Sequence, residues 1–375
     1  MPRIRVGYVI GSLDVGGAEK QLLGVATRLD RARFEAEIYC LSHLGVQAEA
    51  ARKAGVAVTA FGLGPWPMAR WIHWTLCLRR VFRRAPPHVV HAFLFPSHLL
   101  AAIAAVGVES AIVAGVRSVG VGREGRWPFS MLESAGLERA AAVVVNALAV
   151  RESLARRQPG LDPEKVRVLP NGVEPSAFRV SDRAALRSQL GLPLDGPVVL
   201  MVANLLGYKG HTDAIQALGR LRKRIPSAHL ALAGAGPEET RLRLVASALR
   251  LEEAVLFLGL RADVPQLLAA ADAVLLASRE EGMPNAILEA LAAGRPVVAT
   301  RTGGVPELLT QGVTGVVVEP GDVAGMADAL ERVLTDSVLV QRLCEAGPAL
   351  IAERFPWART VEGHEQLYSS LAQRY

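Results

Sequence analysis

Little in this chain of 375 residues favours a membrane span, a disulfide framework or a metal cluster. Its 3 cysteines, Cys40, Cys77 and Cys344, lie far apart. They form neither a zinc-ligand spacing nor a disulfide scaffold, which fits a reducing cytoplasm. No run approaches the roughly 18 uninterrupted apolar residues of a spanning helix. The longest candidate, Leu99 to Val108, stops at Glu109. The opening MPRIRVGYVIGSLDVGGAE has too short an apolar run for a secretory signal and reads as a first strand followed by a glycine loop. The chain is therefore expected to be cytoplasmic, either soluble or peripheral on the inner face of the plasma membrane. Hydrophobic residues make up 51% and charged residues 21%, a globular balance, and the length implies two domains.

Acidic residues are scarce in the first half. Residues 1–170 carry 22 Lys+Arg against 13 Asp+Glu, net +9, whereas the remainder is net −3. That asymmetry suggests a first half that meets something anionic, a membrane face or an acidic acceptor. Pro65 to Pro87, PWPMARWIHWTLCLRRVFRRAPP, combines three tryptophans with Arg70, Arg79, Arg80, Arg83 and Arg84. An interfacial helix wants aromatic and aliphatic residues on one side and cations on the other, so contact with an anionic membrane through 65–87 is expected. The competing interpretation is a surface helix whose arginine stems cover apolar area. No nucleic-acid motif accompanies the basic run, and nucleic acid is not an expected partner.

Asp272 to Arg301, DAVLLASREEGMPNAILEALAAGRPVVATR, organises the second half. The apolar run from Ala273 to Ala277 reads as a buried parallel strand. A charged loop follows, a helix begins near Pro284, and Gly294 with Pro296 gives the stop signal. The loop Arg279 to Asn285 thus lies between the carboxyl end of a strand and the amino end of a helix. Ligands bind there in open α/β sheets, and the free N–H groups favour a phosphate. Glu281 and Glu289 are carboxylates eight residues apart across this unit. As a charge within the apolar AILEALAA, Glu289 calls for a partner, and a polyol facing its acceptor-only oxygens is one. The bland alternative is a solvated Glu281 and an exposed Glu289.

EGMPNAILEA, followed by AAGRPVVATRTGGVPELL and TGVVVEPGD, resembles the E-x7-E region of the retaining nucleotide-sugar glycosyltransferases with the GT-B fold. This large bacterial family builds surface polysaccharides, lipopolysaccharide and glycolipids, and the resemblance covers nearly the whole chain. It implies an α/β fold of two Rossmann-like domains facing across a cleft. Residues 1–175 would form the acceptor domain, joined by a C-terminal helix, 355–375, that crosses back to it; residues 176–354 would form the donor domain. The implied reaction is hexosyl transfer with retention from a nucleoside diphosphate sugar, with uridine the expected base, to a lipid-linked, polysaccharide or small-molecule acceptor. The nucleotide sugar is a co-substrate, and no cofactor or metal is implied. The absence of an Asp-x-Asp pair argues the same way against the metal-dependent sugar-transfer fold.

The resemblance also implies roles. Lys209, beside Gly210 in a strand-to-helix loop, would meet the diphosphate as a point charge. Glu289 would bind ribose, while Glu281, Gly282, Met283, Pro284 and Asn285 would hold the donor sugar. Gly259 and Leu260 would hold the base through backbone atoms, with Gly234 in a neighbouring loop and Thr302 to Glu307 as a second glycine loop. HVVHAFLFPSHLLAAIAA reads as a strand, His88 to His91, and a loop containing His91 and His98. Gly16, Gly17 and Glu19 would line the cleft, His91 would face the donor sugar, and Arg117 stands where the family often has an arginine. Gly120 to Pro128 reads as a mobile acceptor-side loop. Two departures stand out. Phe93 replaces the second histidine of an H-x-H pair, and Asn204 replaces an arginine for which Arg261, Arg279 and Arg301 are possible substitutes. The alternatives are a nucleotide-sugar epimerase on the same fold and a catalytically weak sugar-nucleotide-binding or scaffold subunit.

Overall fold

The computed structural model describes residues 3–62, 69–120, 128–174 and 183–374. Residues 65–68 of the basic aromatic segment, 121–127 of the acceptor-side loop and 175–182 of the expected domain junction lie outside the described residues. The chain divides into two compact units, Met1–Gly172 with Trp357–Tyr375, and Val173–Pro356.

The first unit is built on seven strands: β1 (Ile4–Ile10), β2 (Phe34–Cys40), β3 (Ala57–Ala60), β4 (Val89–Phe93), β5 (Ala111–Val116), β6 (Ala142–Val145) and β7 (Val166–Val168). They pair in parallel in the order β3-β2-β1-β4-β5-β6-β7. Parallel neighbours need crossovers, and the helices between them cover the sheet, which is why β5 and β6 read as unbroken apolar runs. The second unit repeats the plan with β8 (Val198–Val202), β9 (His229–Ala233), β10 (Val255–Gly259), β11 (Ala273–Leu276), β12 (Val297–Thr300) and β13 (Val316–Val318), in the order β10-β9-β8-β11-β12-β13. Both orders are those of a doubly wound Rossmann sheet. Their direction reverses between β1 and β4 in one unit and between β8 and β11 in the other, the switch point where such sheets bind ligands.

The C-terminal helix, Trp357–Ala372, belongs to the first unit. Trp357, Val361, His364, Tyr368 and Leu371 recur at helical spacing and are all buried. Trp357 packs so closely on Gly24 that a Cβ there would lie 2.0 Å from its ring. Arg28 covers the same indole, 4.8 Å from the ring centre. Glu365 accepts from the backbone N–H of Asp30 at 2.7 Å, closing the end of the helix Gly17–Arg28.

The basic segment forms the helix Ala69–Arg84, whose facing differs from expectation. Trp71 and Trp74, the two described tryptophans of the segment, turn inward. Trp74 donates its indole N–H to the carbonyl of Gly62 at 2.7 Å, and Trp71 packs edge-on against Phe95. The outward stripe is Ile72, Leu76, Arg80, Arg83 and Arg84, with Ile72 66% and Leu76 61% exposed. Apolar and cationic residues are therefore separated along the helix and not across it, because the next helix, Ser97–Ala104, and Phe95 pack against the aromatic side. No described helix is long and apolar enough to cross a membrane.

Candidate functional site

In the second unit the candidate residues gather on loops leaving the carboxyl ends of β8 and β11, at the switch point. After β8 a short turn, Gly207–Lys209, leads through Gly210 into the helix His211–Leu221. Gly210 is left-handed, φ 73°, and a Cβ there would lie 1.9 Å from the carbonyl oxygen of Ala277 at the exit of β11. Only glycine lets the two loops approach so closely. The Arg279 N–H donates to the Tyr208 carbonyl at 2.8 Å, and Thr302 Oγ1 donates to the Arg279 carbonyl at 2.9 Å. The Gly304 N–H donates to the Gly282 carbonyl at 2.7 Å, joining the β12 exit to the same cluster.

Within this frame Lys209 Nζ donates to Glu281 Oε1 at 2.6 Å, with the two side chains 17% and 9% exposed. Neither is a solvated loop charge, and they are bonded to each other. Pro284 caps the helix Asn285–Ala292, and Gly282, Met283 and Pro284 are buried beneath it. Glu289 is 5% exposed in that helix, so the structure rejects the exposed-helix alternative for it. The Gly234 N–H donates to the Gly259 carbonyl at 2.8 Å, and the Leu205 N–H donates to the Ala235 carbonyl at 3.0 Å, so the β8, β9 and β10 exits lie side by side. Asn204 and Leu260 are exposed on these loops. Each possible substitute for the missing arginine holds a carboxylate: Arg279 with Asp213 at 3.1 Å, Arg261 with Asp263 at 2.7 Å, and Arg301 with Glu319 at 2.8 Å. Of the three, Arg279 is the one whose backbone touches the Lys209 loop.

Candidates in the first unit are placed less uniformly. Gly16 and Gly17 open the helix Gly17–Arg28 after β1, and Gly17 is exposed. The Glu19 carboxylate folds back over Gly16, where a Cβ would meet it at 2.0 Å. Burial raises the Glu19 pKa.

His91 departs from expectation. The strand does not end there but runs on to Phe93, placing His91 mid-strand and 0% exposed. Its Nδ1 lies 2.7 Å from the Tyr368 hydroxyl, and its ring stacks on that of His364. Burial, with His364 and Arg117 nearby, drives its pKa well below the usual value. His91 is therefore a neutral core group, held mid-strand by the Tyr368 side chain and not standing at a strand end. His98 is likewise buried, in the helix Ser97–Ala104 rather than in a loop, and its pKa is pushed down to about 4 by burial. Phe93, where the resemblance implied a second histidine, receives the Arg117 guanidinium 4.7 Å above its ring. Arg117 also donates to Asn171 Oδ1 at 2.7 Å, and burial lowers its pKa to about 10. The histidine-to-phenylalanine departure is thus matched by a cation–π contact.

The Lys209–Glu281 pair, the Asp213 carboxylate on Arg279 and the Tyr368 hydroxyl on His91 were not anticipated from sequence. Only Tyr368 left a signal, its place on the buried heptad of the last helix. Among the described residues no group of three or more His, Cys, Asp or Glu is placed to hold a metal ion.

Comparison with known proteins agrees with this geometry. The family described as "Glycosyl transferases group 1" matches residues 182–349, and "Glycosyltransferase Family 4" matches residues 15–177. The chain is 31% identical over 198 residues to N-acetyl-alpha-D-glucosaminyl L-malate synthase of Bacillus anthracis, covering 53% of this chain and 52% of that one. It is 35% identical over 228 residues to D-inositol 3-phosphate glycosyltransferase of Acidothermus cellulolyticus, with 57% and 50% covered. The chain thus spans about half the length of these curated relatives. In fold it is similar to Anabaena HepE, solved in complex with UDP and glucose, with TM-score 0.88 at 24% identity over 98% of this chain and 100% of that one. With family matches running from residue 15 to residue 349, apart from a short gap, and two sheets in Rossmann order, the chain belongs to the group 1 glycosyltransferases of GT-B fold.

Proposed function

We propose that this protein transfers a hexosyl group, with retention, from a UDP-sugar to a lipid-linked, polysaccharide or small-molecule acceptor, without a metal ion. The observation that carries the reading is the assembly of Lys209, Glu281, Gly282–Asn285 and Glu289 around one Rossmann switch point, with the amino ends of the helices His211–Leu221 and Asn285–Ala292 beside them. Lys209 and the helix N–H groups meet the charge that grows on the departing diphosphate. Glu289 accepts from ribose hydroxyls, and Glu281 with the loop 282–285 holds the sugar. Gly259 and Leu260 present backbone atoms to the base. Support for uridine comes from HepE, a structural neighbour solved with UDP and glucose. Support for an anionic or glycolipid acceptor is the positive charge of residues 1–170.

Peripheral contact with an anionic membrane on the cytoplasmic side belongs to the same proposal, now through the outward stripe Ile72, Leu76, Arg80, Arg83 and Arg84. Leucine and isoleucine insert at the interface while guanidinium groups meet lipid phosphates.

The test is a transfer assay with UDP-hexoses and an acceptor panel, reading released UDP and the anomeric configuration of the product. Lys209→Ala and Glu289→Ala are each expected to lower turnover by about a hundredfold or more, the effect of losing one preorganised donor or anchor. Wild-type turnover in either variant would remove the site assignment, and an inverted product would remove retention.

A further inference from the structure

The two residues that the proposed function assigns to different parts of the donor are bonded to each other. Lys209 Nζ lies 2.6 Å from Glu281 Oε1, and both side chains are largely shielded from water. The pair is set by its frame. A Cβ at Gly303 would lie 1.8 Å from the Glu281 carbonyl oxygen, and the Gly304 N–H holds the Gly282 carbonyl at 2.7 Å. These contacts hold the Glu281 backbone, so the pair separates by rotation of its side chains.

We propose that Glu281 guards Lys209 in the ligand-free protein, and that a nucleoside diphosphate sugar relieves the pair whereas the bare nucleoside diphosphate does not. The inference rests on the nucleotide-sugar reading of this site. A diphosphate approaching Lys209 competes with a carboxylate already seated on it. Asn204 is neutral, and Arg279, Arg261 and Arg301 each hold a carboxylate of their own. Once displaced, Glu281 is an acceptor-only anion with little access to water, and an uncompensated buried charge is strongly unfavourable. The hydroxyl groups of a donor sugar supply the donors it lacks. A diphosphate without its sugar leaves the carboxylate unsatisfied, so it is held less tightly. Sugar and phosphate recognition are thereby coupled through one side chain, and loss of the sugar by transfer weakens the hold on the product.

The test is calorimetric titration of the full chain with UDP, GDP and ADP and with the glucose ester of each, for wild type, Glu281→Gln and Lys209→Met. Glutamine keeps the shape and removes the charge. The wild type is expected to bind the sugar ester about tenfold or more tightly than the diphosphate, as expected when a buried charge loses its compensation. Glu281→Gln should bind the diphosphate about tenfold more tightly than wild type and lose most of the preference for the ester, since the competing carboxylate is gone. Lys209→Met should weaken both ligands. Diphosphate binding unchanged or weakened in Glu281→Gln overturns the guard while leaving the nucleotide-sugar reading intact. Should that variant fail to fold by circular dichroism, the wild-type ratio decides, and equal binding of ester and diphosphate overturns the proposal. Absence of binding by all six ligands to wild type overturns both readings together.

Discussion

The Tyr368 hydroxyl lies 2.7 Å from Nδ1 of His91, joining the C-terminal helix to the middle of β4 in the core of the first unit. Both groups are fully buried, and burial raises the tyrosine pKa while lowering that of the histidine. The bond therefore joins two neutral groups. Tyr368→Phe keeps the ring and orphans the imidazole nitrogen, which costs about 1–3 kcal/mol. In a domain of this size each kcal/mol lowers Tm by about 2–4 °C. Thermal unfolding should show a drop of several degrees, and an unchanged Tm would contradict the role given to this bond.

Acid should weaken the protein in a defined window. Burial pushes the imidazoles of His98, His211 and His364 from 6.5 down to about 4. Below about pH 6.5 the unfolded chain takes up these protons while the folded chain resists until about pH 4, so the unfolded state binds more protons across that interval. The stability from these groups is complete above pH 6.5 and is lost as pH falls toward 4. His364→Leu, removing one of them, should flatten the fall of Tm between pH 6.5 and 4. Parallel pH slopes in variant and wild type would argue against this assignment.

Asp272 anchors the start of β11. It accepts from the Val198 N–H at 2.7 Å, pairs with Arg183 at 2.9 Å and binds the buried Arg187. Asp272→Ala strands the Arg187 cation and should cost about 3–5 kcal/mol, the range for breaking a buried pair from one side. Arg183 is 42% exposed, and Arg183→Ala should cost about 1 kcal/mol or less. Urea denaturation of both variants separates the two cases, and equal losses would refute the ranking.

The outward stripe of the helix Ala69–Arg84 predicts a further asymmetry. Replacing Arg80, Arg83 and Arg84 with Ser should weaken sedimentation with anionic vesicles and make the remainder less sensitive to salt, since each cation near the surface contributes about 1 kcal/mol. Ile72→Ser with Leu76→Ser should weaken it without changing the salt dependence. Replacement of Trp74, tethered inward to Gly62, should act on stability and not on vesicle binding. Full sedimentation after loss of the arginines would reject the membrane contact.

Sequence and structure agree where local chemistry decides. The strand, loop, helix and strand around Glu281 were legible because a parallel strand buried on both faces is an apolar run and because Pro284 and Gly294 punctuate the helix; they appear as Ala273–Leu276, Asn285–Ala292 and Val297–Thr300. Sequence placed the end of β4 at His91, since a polar residue in an apolar run looks like a strand end until Tyr368, far along the chain, is seen to satisfy it. It counted tryptophans in the basic helix but could not tell which way they face, because facing is settled by neighbours in space. The Lys209–Glu281 bond joins residues 72 apart, and no periodicity records it. Nor does the sequence show why Gly210 is a glycine, since the reason is contact with the backbone of the next loop.

The central claim is that the second unit's switch point binds a nucleoside diphosphate sugar. Its most direct test is a thermal-shift screen of the full chain against UDP-, GDP- and ADP-hexoses with and without Mg²⁺, since a ligand that binds the folded state raises Tm by mass action. Stabilisation by a UDP-hexose is expected, equal in the presence and absence of Mg²⁺, and lost in Lys209→Ala and Glu289→Ala. No stabilisation by any nucleotide sugar, or stabilisation that survives both substitutions, would contradict it.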